Sequence, residues 1–282
     1  MEATTYIKRT HDGRITIKSG NKVERVMSGT LTVLTALTIM AFIFFDYTGL
    51  DLGEAFPATV YNLKTMFLEP TLSHFSWGEA FYQVGITLGL AFLATILGAV
   101  IAFFLALMAA TNLSKEWVSK TIRIVVAFIR AVPTVLWVLI FAIAAGLGSE
   151  AAVLGMLFHS IAYLVKAFSE SFEEVDQGIL EALRATGANW WHIVTHAVLP
   201  STFTYLLSWT FLRFEINFAV AVAMGAAAGA GGIGFELFMA SGFYFDLREV
   251  GFITYMILVL AIVLEIMSTR LKNRYFPDSS AN

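Results

Sequence analysis

The chain contains no cysteine and few charged residues, which make up only 14% of its 282 positions. The absence of cysteine excludes disulfide bonds, thiolate nucleophiles and cysteine metal sites. Because 58% of the residues are hydrophobic, a soluble fold would have to expose large apolar patches. The sequence also lacks G-x-x-x-x-G-K-[ST], the usual phosphate cradle for ATP. We therefore expect an integral membrane protein that is not itself an ATP-hydrolysing enzyme.

Apolar runs of the length needed to cross a bilayer recur along the chain. The predicted transmembrane helices are 26–45, 84–110, 122–146, 151–168, 202–224 and 250–267. A polar N-terminus precedes the first run and is longer than the start of a signal peptide, so we interpret that run as a retained span. The predicted fold class is an all-α membrane protein with about six transmembrane helices.

Lysine and arginine concentrate before the first span, between the second and third spans, and after the last span, whereas 46–80 is acidic. Since basic loops stay in the cytoplasm, we expect both termini to be cytoplasmic. The predicted parts are a cytoplasmic segment 1–25, a first helix with an external loop 26–80, a transmembrane domain 81–270 with a cytoplasmic loop 169–200, and a cytoplasmic tail 271–282.

The cytoplasmic loop contains the sequence FEEVDQGILEALRATGANWWHIVTHAVLP at 172–200. Ile179, Leu180 and Leu183 lie at helical spacing and predict a short amphipathic helix, which Gly187 is placed to end in a left-handed conformation. A second helical stretch follows, and proline at 200 resets the chain before the next span. The pattern fits a helix that docks in a groove of a soluble partner with Leu183 as an anchor, and it fits equally a helix lying on lipid headgroups.

The same stretch resembles the EAA loop of ABC importer permeases, which reads Glu-Ala-Ala, three residues, Gly, nine residues, Ile-x-Leu-Pro. The residues at matching offsets are Glu181, Ala182, Gly187, Leu199 and Pro200. Leu183 replaces the second alanine and Ala197 replaces the isoleucine. The resemblance implies that this loop contacts a separate ATPase subunit.

The fifth predicted span contains Arg213, Glu215 and Asn217 within an apolar run. Arg213 and Asn217 are four residues apart and share a helix face, whereas Glu215 is turned about 200° from Arg213. Charges at membrane depth are costly and face a cavity or a partner. Two interpretations stay open, a polar brace between helices and a lining of the translocation path in which Arg213 attracts an anionic solute.

The string RFEIN at 213–217, followed by GAGGIGFEL at 229–237, resembles the phosphonate permease family. Gly229, Gly231 and Gly234 spell a dinucleotide fingerprint, but they follow a membrane helix instead of a strand. We therefore interpret these glycines and Gly232 as a gate or as helix packing. The resemblance implies a type I ABC importer permease core, MetI-like, with an extra N-terminal helix.

The expected function is that of the permease subunit of an ATP-driven importer for phosphonate, phosphite, hypophosphite or phosphate in the bacterial inner membrane. The implied partners are an ABC ATPase dimer, an external solute-binding protein, a second, identical permease subunit and membrane lipid, with no nucleic acid. The chain is expected to bind no cofactor or metal, with ATP and Mg²⁺ held by the ATPase. The alternatives are a related ABC permease for an amino acid or osmolyte, and an ATP-independent channel or secondary transporter.

Overall fold

The computed structural model describes residues 7–9, 15–17, 22–46, 49 and 51–275, and it divides into two compact units, Met1–Ala58 and Thr59–Asn282. In the first unit, strands β1 (Ile7–Arg9) and β2 (Ile15–Ile17) pair antiparallel, with Ile7 opposite Ile17. Helix α1 (Lys22–Phe44) covers the predicted first span. Its side chains are exposed along its whole length, as expected of a helix that faces lipid.

The second unit begins ahead of the predicted domain start at residue 81. The helices from the unit boundary onward are α2 (Leu52–Leu68), α3 (Trp77–Ala109), α4 (Glu116–Ala131), α5 (Thr134–Ala145), α6 (Ser149–Glu173), α7 (Gln177–Ala185), α8 (Trp190–Ile193), α9 (Leu199–Ala228), α10 (Ile233–Gly242) and α11 (Leu247–Tyr275). By length and composition, five helices of the described chain can cross a membrane, or six if a bent pair counts as one span. The prediction of an all-α membrane protein with about six spans is confirmed.

The centre of the second unit is formed by α3, α6 and α9, which pack against one another. Small residues permit this close approach, as is common between membrane helices. A Cβ atom added at Gly98 of α3 would lie 2.8 Å from the Cβ of Ser160 on α6. The approach brings the small polar side chains of these helices within reach of α9.

The predicted third span, 122–146, is wrong as a single helix. The chain forms α4 and α5 instead, which meet at an angle of 88°. Pro133 lies at the break, where it lacks an N–H to donate and forces the residue before it out of the helical region. Val132 accordingly has an extended ψ of 123°.

The predicted second span starts too late, because α3 begins at Trp77 and not at residue 84. Ser76 and Glu79 form a capping box, in which the N–H of Ser76 donates to Glu79 Oε2 at 2.7 Å and the N–H of Glu79 donates to Ser76 Oγ at 3.3 Å. The reciprocal hydrogen bonds satisfy the first turn of the helix. The sequence signal Ser-x-x-Glu therefore marks the start of this helix, which hydropathy alone places too late in the sequence.

Candidate functional site

Local hydrogen bonds fix both ends of α7. The side chain of Asp176 accepts from the N–H of Gly178 at 2.6 Å and caps the first turn. At the other end, Gly187 adopts a φ of +81°. The N–H of Gly187 donates to Arg184 O at 3.0 Å and that of Ala188 donates to Leu183 O at 3.1 Å, which is the paired pattern of a Schellman motif. The predicted helix and its left-handed ending both form.

The two faces of α7 have different surroundings. Leu180 is fully buried in the hydrophobic core of the chain, and Leu183 is partly buried against the same core. Because Leu183 is partly exposed, its predicted role as an anchor for a partner stays a prediction. The residues that α7 exposes form one strip and are Gln177, Gly178, Ile179, Glu181, Ala182, Arg184 and Ala185.

Side chains also tie the segment around α7 to the turn between α3 and α4. Arg184 Nη2 donates to Asn112 O at 2.8 Å, and Trp190 Nε1 donates to Leu113 O at 3.0 Å. Asn112 Nδ2 in turn donates to Phe172 O at 2.8 Å, near the end of α6. The short helix is thus held at both ends by the rest of the bundle.

Glu173, at the end of α6, fastens the same turn from another side. Its Oε1 accepts from the N–H and the Oγ1 of Thr111, each at 2.6 Å. Arg123 of α4 donates to the same carboxylate oxygen at 2.5 Å and donates through Nε to Ala109 O at 3.1 Å. The ends of α3, α4 and α6 therefore meet beside α7.

A wide turn connects α8 to α9. Residues Val194–Val198 form a π-helical turn, in which the N–H of Leu199 donates to Val194 O. The predicted reset at Leu199 and Pro200 is corrected, because the helix runs without a break from Trp190 to Ala228, over 39 residues. Pro200 has no N–H and its ring would clash with a carbonyl in a regular preceding turn, and the wider turn accommodates both effects.

Arg213 and Asn217 lie on one face of α9 and point into the bundle, with 2% and 0% of their surfaces exposed. Arg213 Nε donates to Ser160 Oγ at 3.0 Å, and Asn217 Nδ2 donates to the same oxygen at 2.8 Å. Asn217 Nδ2 also donates to Thr95 Oγ1 at 2.8 Å. These bonds join α9 to α6 and α3 near the middle of all three helices, which is the geometry of the interhelical brace.

Glu215 faces the opposite side of α9, as the helix geometry predicts. With Glu265, it lines a groove of about 450 Å³ beside α9 and α11 and a second one of about 710 Å³ that reaches Thr134. Of the residues proposed to line a path, Glu215 is thus the one that reaches these cavities. Lys166 and Arg130 are the basic residues that the sequence offers as partners for Glu215, and Lys166 pairs with Glu170 at 3.6 Å instead.

Residues 98–277 match the family described as binding-protein-dependent transport system inner membrane component. The chain belongs to this family. The permease is 33% identical over 190 residues to the phosphite transport system permease protein PtxC of Stutzerimonas stutzeri, over 67% of this chain and 68% of that one. It is 36% identical to the putative phosphite permease HtxC of the same organism, over 65% of this chain and 63% of that one.

A third relative is the phosphate-import permease protein PhnE of Mycolicibacterium smegmatis, with 33% identity over 70% of this chain and 37% of the relative. These likenesses confirm the resemblance to the phosphonate-type permeases. The fold matches the MetNI methionine ABC transporter in inward-facing conformations, with a TM-score of 0.65 at 18% identity, covering 72% of this chain and 99% of that one. It also matches a bacterial ABC transporter for alginate, with a TM-score of 0.61 at 13% identity, covering 90% and 99%. The permease therefore has the predicted MetI-like fold of an inner-membrane, multi-pass transport component.

The glycine segment of the permease joins α9 to α10. Gly229, Gly231 and Gly232 all have positive φ angles, and Gly229 ends α9 while Gly232 precedes α10. A Cβ atom at Gly232 would lie 2.3 Å from Thr87 Oγ1, and one at Gly234 would lie 1.8 Å from Val222 O. The segment is therefore packed tightly against α3 and α9, which supports the interpretation as helix packing. A role as a gate stays a prediction.

A polar cluster that no sequence pattern predicts lies at the opposite end of the bundle from α7. Glu249 is fully buried and accepts from the N–H of Ser73 at 3.0 Å, from the N–H of His74 at 2.8 Å and from His74 Nδ1 at 2.6 Å. Burial acts to raise the pKa of Asp246, but hydrogen bonds from the N–H of Glu249, the Ser73 side chain and the N–H of Arg248 outweigh it and lower that pKa.

His74, Asp246 and Glu249 could offer metal-ligand atoms within 4.8 Å of one another. Both carboxylates are, however, already engaged as hydrogen-bond acceptors. We therefore interpret the cluster as a clamp between the start of α11 and the segment before α3. His192 and His196, which lie between α7 and α9, are not part of it.

Proposed function

We propose that the permease forms half of the translocation path of an ATP-driven importer for a small phosphorus oxyanion. The observation that carries the proposal is its similarity to permeases for phosphite and phosphate, at 33–36% identity. Phosphonate, phosphite, hypophosphite and phosphate share a tetrahedral anionic phosphorus centre, so a common path can serve them. The chain supplies the path and binds no cofactor.

In this proposal, ATP and Mg²⁺ are held by a separate ATPase dimer that contacts the exposed strip of α7. Glu181 and Ala182 belong to this strip, and because both ends of α7 are capped, the helix can move as a rigid body. A second, identical permease subunit completes the path, and an external solute-binding protein delivers the anion. The basic segments before the first span and after the last span support a cytoplasmic location for both termini.

The proposed mechanism is alternating access. Closure of the ATPase dimer displaces α7, and the displacement passes to α3, α4 and α6 through the turn that Arg184 and Glu173 hold. It passes to α9 along the continuous helix that begins at Trp190. Rocking of these helices opens the path to the outside and then to the cytoplasm.

Uptake measurements in cells that lack their own phosphorus oxyanion importers test this proposal. Cells that express the permease with its ATPase and binding protein should accumulate at least one of phosphite, phosphate, hypophosphite and methylphosphonate in an ATP-dependent manner. Glu181→Ala should reduce uptake at least tenfold while the complex still assembles. A matched change on the buried side, Leu183→Met, should leave uptake nearly unchanged. Accumulation of methionine with none of these anions would refute the assigned substrate class.

A further inference from the structure

Arg213 is a buried cation without a counter-charge. It lies near the middle of α9, and none of the ion pairs in the described chain includes it. Its neighbours are neutral, with Ser160 at its Nε and the ring of Tyr163 5.4 Å from its Cζ. Its Nη2 is buried and has no hydrogen-bond partner among the described residues. Buried charges in proteins are normally paired, so this guanidinium is suited to an anion.

Two further polar atoms around Ser160 are also buried without partners, His159 Nδ1 and Asn217 Oδ1. His159 precedes Ser160 on α6, and Arg213 and Arg130 both act electrostatically on its ring. Asn217 shares the hydroxyl of Ser160 with Arg213. Two of the unpartnered atoms thus belong to side chains that bond one hydroxyl group, and the third belongs to the residue that precedes Ser160.

The orientation of the Asn217 amide follows from its neighbours. Ser160 Oγ donates to Met156 O at 2.7 Å, and Thr95 Oγ1 donates to Ala91 O at 2.6 Å. While both hydroxyl protons are used in this way, both hydroxyl oxygens accept, and Asn217 turns its NH₂ group toward them. Its Oδ1 therefore remains an unpartnered acceptor beside an unpartnered cation.

We propose that Arg213, His159 and Asn217 form a transit site for a phosphorus oxyanion that retains a P–O–H group. Arg213 Nη2 and the Nδ1–H of a neutral His159 donate to two oxygens of the anion, and Asn217 Oδ1 accepts the P–O–H proton. This inference rests on the proposed function and assigns its substrate contacts to particular atoms. The anion supplies the charge that Arg213 lacks, and its P–O–H proton satisfies the Asn217 acceptor. Among the anions of the proposed function, hypophosphite carries no P–O–H proton at neutral pH, so we expect it to bind this site more weakly than phosphate.

Exposure indicates the side from which the anion enters. Arg213 and Asn217 are buried, whereas His159 and Tyr163 on α6 are partly exposed. We therefore expect that movement of the helices beside this face of α6 opens a path to the Arg213 guanidinium, with His159 at the edge of the opening. In the present conformation the site is closed.

The donor and acceptor pattern also predicts selectivity against sulfate. Hydrogen phosphate and sulfate have the same shape, but sulfate carries no proton at neutral pH. Sulfate would place an oxygen lone pair against Asn217 Oδ1, and buried polar groups that lose their partner discriminate strongly between ligands. Phosphate should therefore displace labelled phosphate from the permease, and sulfate should not.

The variant Asn217→Asp distinguishes a substrate-binding role of these residues from a role as a brace between helices. The introduced carboxylate compensates Arg213 within the protein and repels an incoming anion, while the hydroxyls of Ser160 and Thr95 can rotate to donate to it. We expect the variant to keep or raise the thermal midpoint of the purified permease and to lose uptake of phosphate and phosphite at least fiftyfold. Uptake equal to that of the wild type in a folded variant would overturn the site.

A pair of variants at His159 gives a second test that does not depend on the stability of the first. His159→Asn keeps a donor near the position of Nδ1, and His159→Leu removes it. Titration of the purified wild-type chain in nanodiscs with inorganic phosphate, followed by phosphorus NMR, should show saturable binding that sulfate does not displace. Binding should weaken about tenfold or more in His159→Leu and recover in His159→Asn, with Lys166→Gln as an exposed-cation control.

Three results would each overturn the transit site. They are equal phosphate binding in the two His159 variants, displacement by sulfate as effective as by phosphate, and the absence of saturable binding to the wild type. This failure is distinguishable from failure of the proposed function. If the wild type takes up phosphorus oxyanions and the variants match it, only the transit site falls. If the wild type takes up none of them, the substrate class itself is wrong.

Discussion

Gly187 is the residue at which a single backbone conformation decides the end of α7. Its φ of +81° lies in the left-handed region, and a Cβ atom added there would meet no other atom within 4 Å. A substitution at this position therefore changes backbone strain without changing packing. The glycine is required by its dihedral angle and not by lack of space.

Gly187→Ala should destabilise the end of α7 by about 1 kcal/mol, because an L-residue pays roughly that amount for the left-handed conformation. Asparagine visits this conformation more readily, so Gly187→Asn should cost less. Hydrogen exchange at the amides of 185–188 measures the local effect, and uptake measures the functional one. Equal exchange in both variants and the wild type would show that the dihedral angle is not what fixes this ending.

Residue patterns predict part of the buried polar layer. The spacing of Arg213 and Asn217 predicts their shared face, and the position of Glu215 predicts its opposite direction. The partners Ser160 and Thr95 could not be predicted, because small hydroxyl residues are common in membrane helices and only the approach of α3 to α6 at Gly98 brings them together. The position of Ser160 and Thr95 in the middle of apolar runs is the signal in the sequence for a buried polar layer, and it is weak because many such residues occur in membrane helices.

At the scale of elements, the ion pair between Arg123 and Glu173 joins α4 to the end of α6 beside α7. Both side chains are partly exposed, at 41% and 25%, so solvent screens the attraction. Thr111 adds two hydrogen bonds to the same carboxylate oxygen. The pair matters chiefly because it holds the turn that contacts α7.

A double-mutant cycle measures this connection. Arg123→Met and Glu173→Gln should each lower the thermal stability of the purified permease, and their coupling energy should be about 0.5–1 kcal/mol. The cycle separates the ion pair from the bond that Arg123 Nε makes to Ala109 O, since that bond is lost in both variants lacking Arg123. Strictly additive effects on stability would show that the pair is screened completely. The exposed pair of Lys120 and Glu116 serves as the control, with an expected coupling at the lower end of this range.

The bounds of some elements can be predicted from the sequence, and those of others cannot. Asp176 and Gly187 bracket α7 with recognised cap residues, so its bounds follow from local chemistry. Hydropathy does not predict the bend between α4 and α5, because the apolar run continues across Pro133. The proline itself is the local signal for the break. The π-helical turn at Val194–Val198 has no comparable signal, since its wider hydrogen bonds leave no trace in the hydropathy pattern.

At the scale of the whole molecule, the absence of cysteine makes orientation directly measurable. Ala182 of α7 and Ser241 of α10 are both exposed, and the loop charges predict that they face opposite sides of the membrane. With single cysteines, Ser241→Cys should react with an impermeant maleimide in intact spheroplasts. Ala182→Cys should react only after the membrane is broken. The reverse pattern would place α7 outside and would remove the basis for contact with an ATPase.

The layout of the bundle assigns separate roles to its two ends. At one end, α7 and its neighbours are tied to the turns of α3, α4 and α6. At the other end, the buried carboxylate of Glu249 clamps the segment at Ser73 and His74 to the start of α11. The polar layer around Ser160 lies between them, near the middle of α3, α6 and α9. A change that begins at α7 therefore reaches the proposed anion contacts before it reaches the clamp.

The shared fastening of α7 has a consequence for kinetics. Because Arg184 bonds the α3–α4 turn, and Glu173 bonds the same turn from α6, the tips of these helices cannot respond one after another. The turn must shift as a unit or stay in place, so intermediates in which only one helix has moved are suppressed. We therefore predict that the proposed transport cycle passes between a few discrete arrangements and that a concerted step at this junction sets its rate.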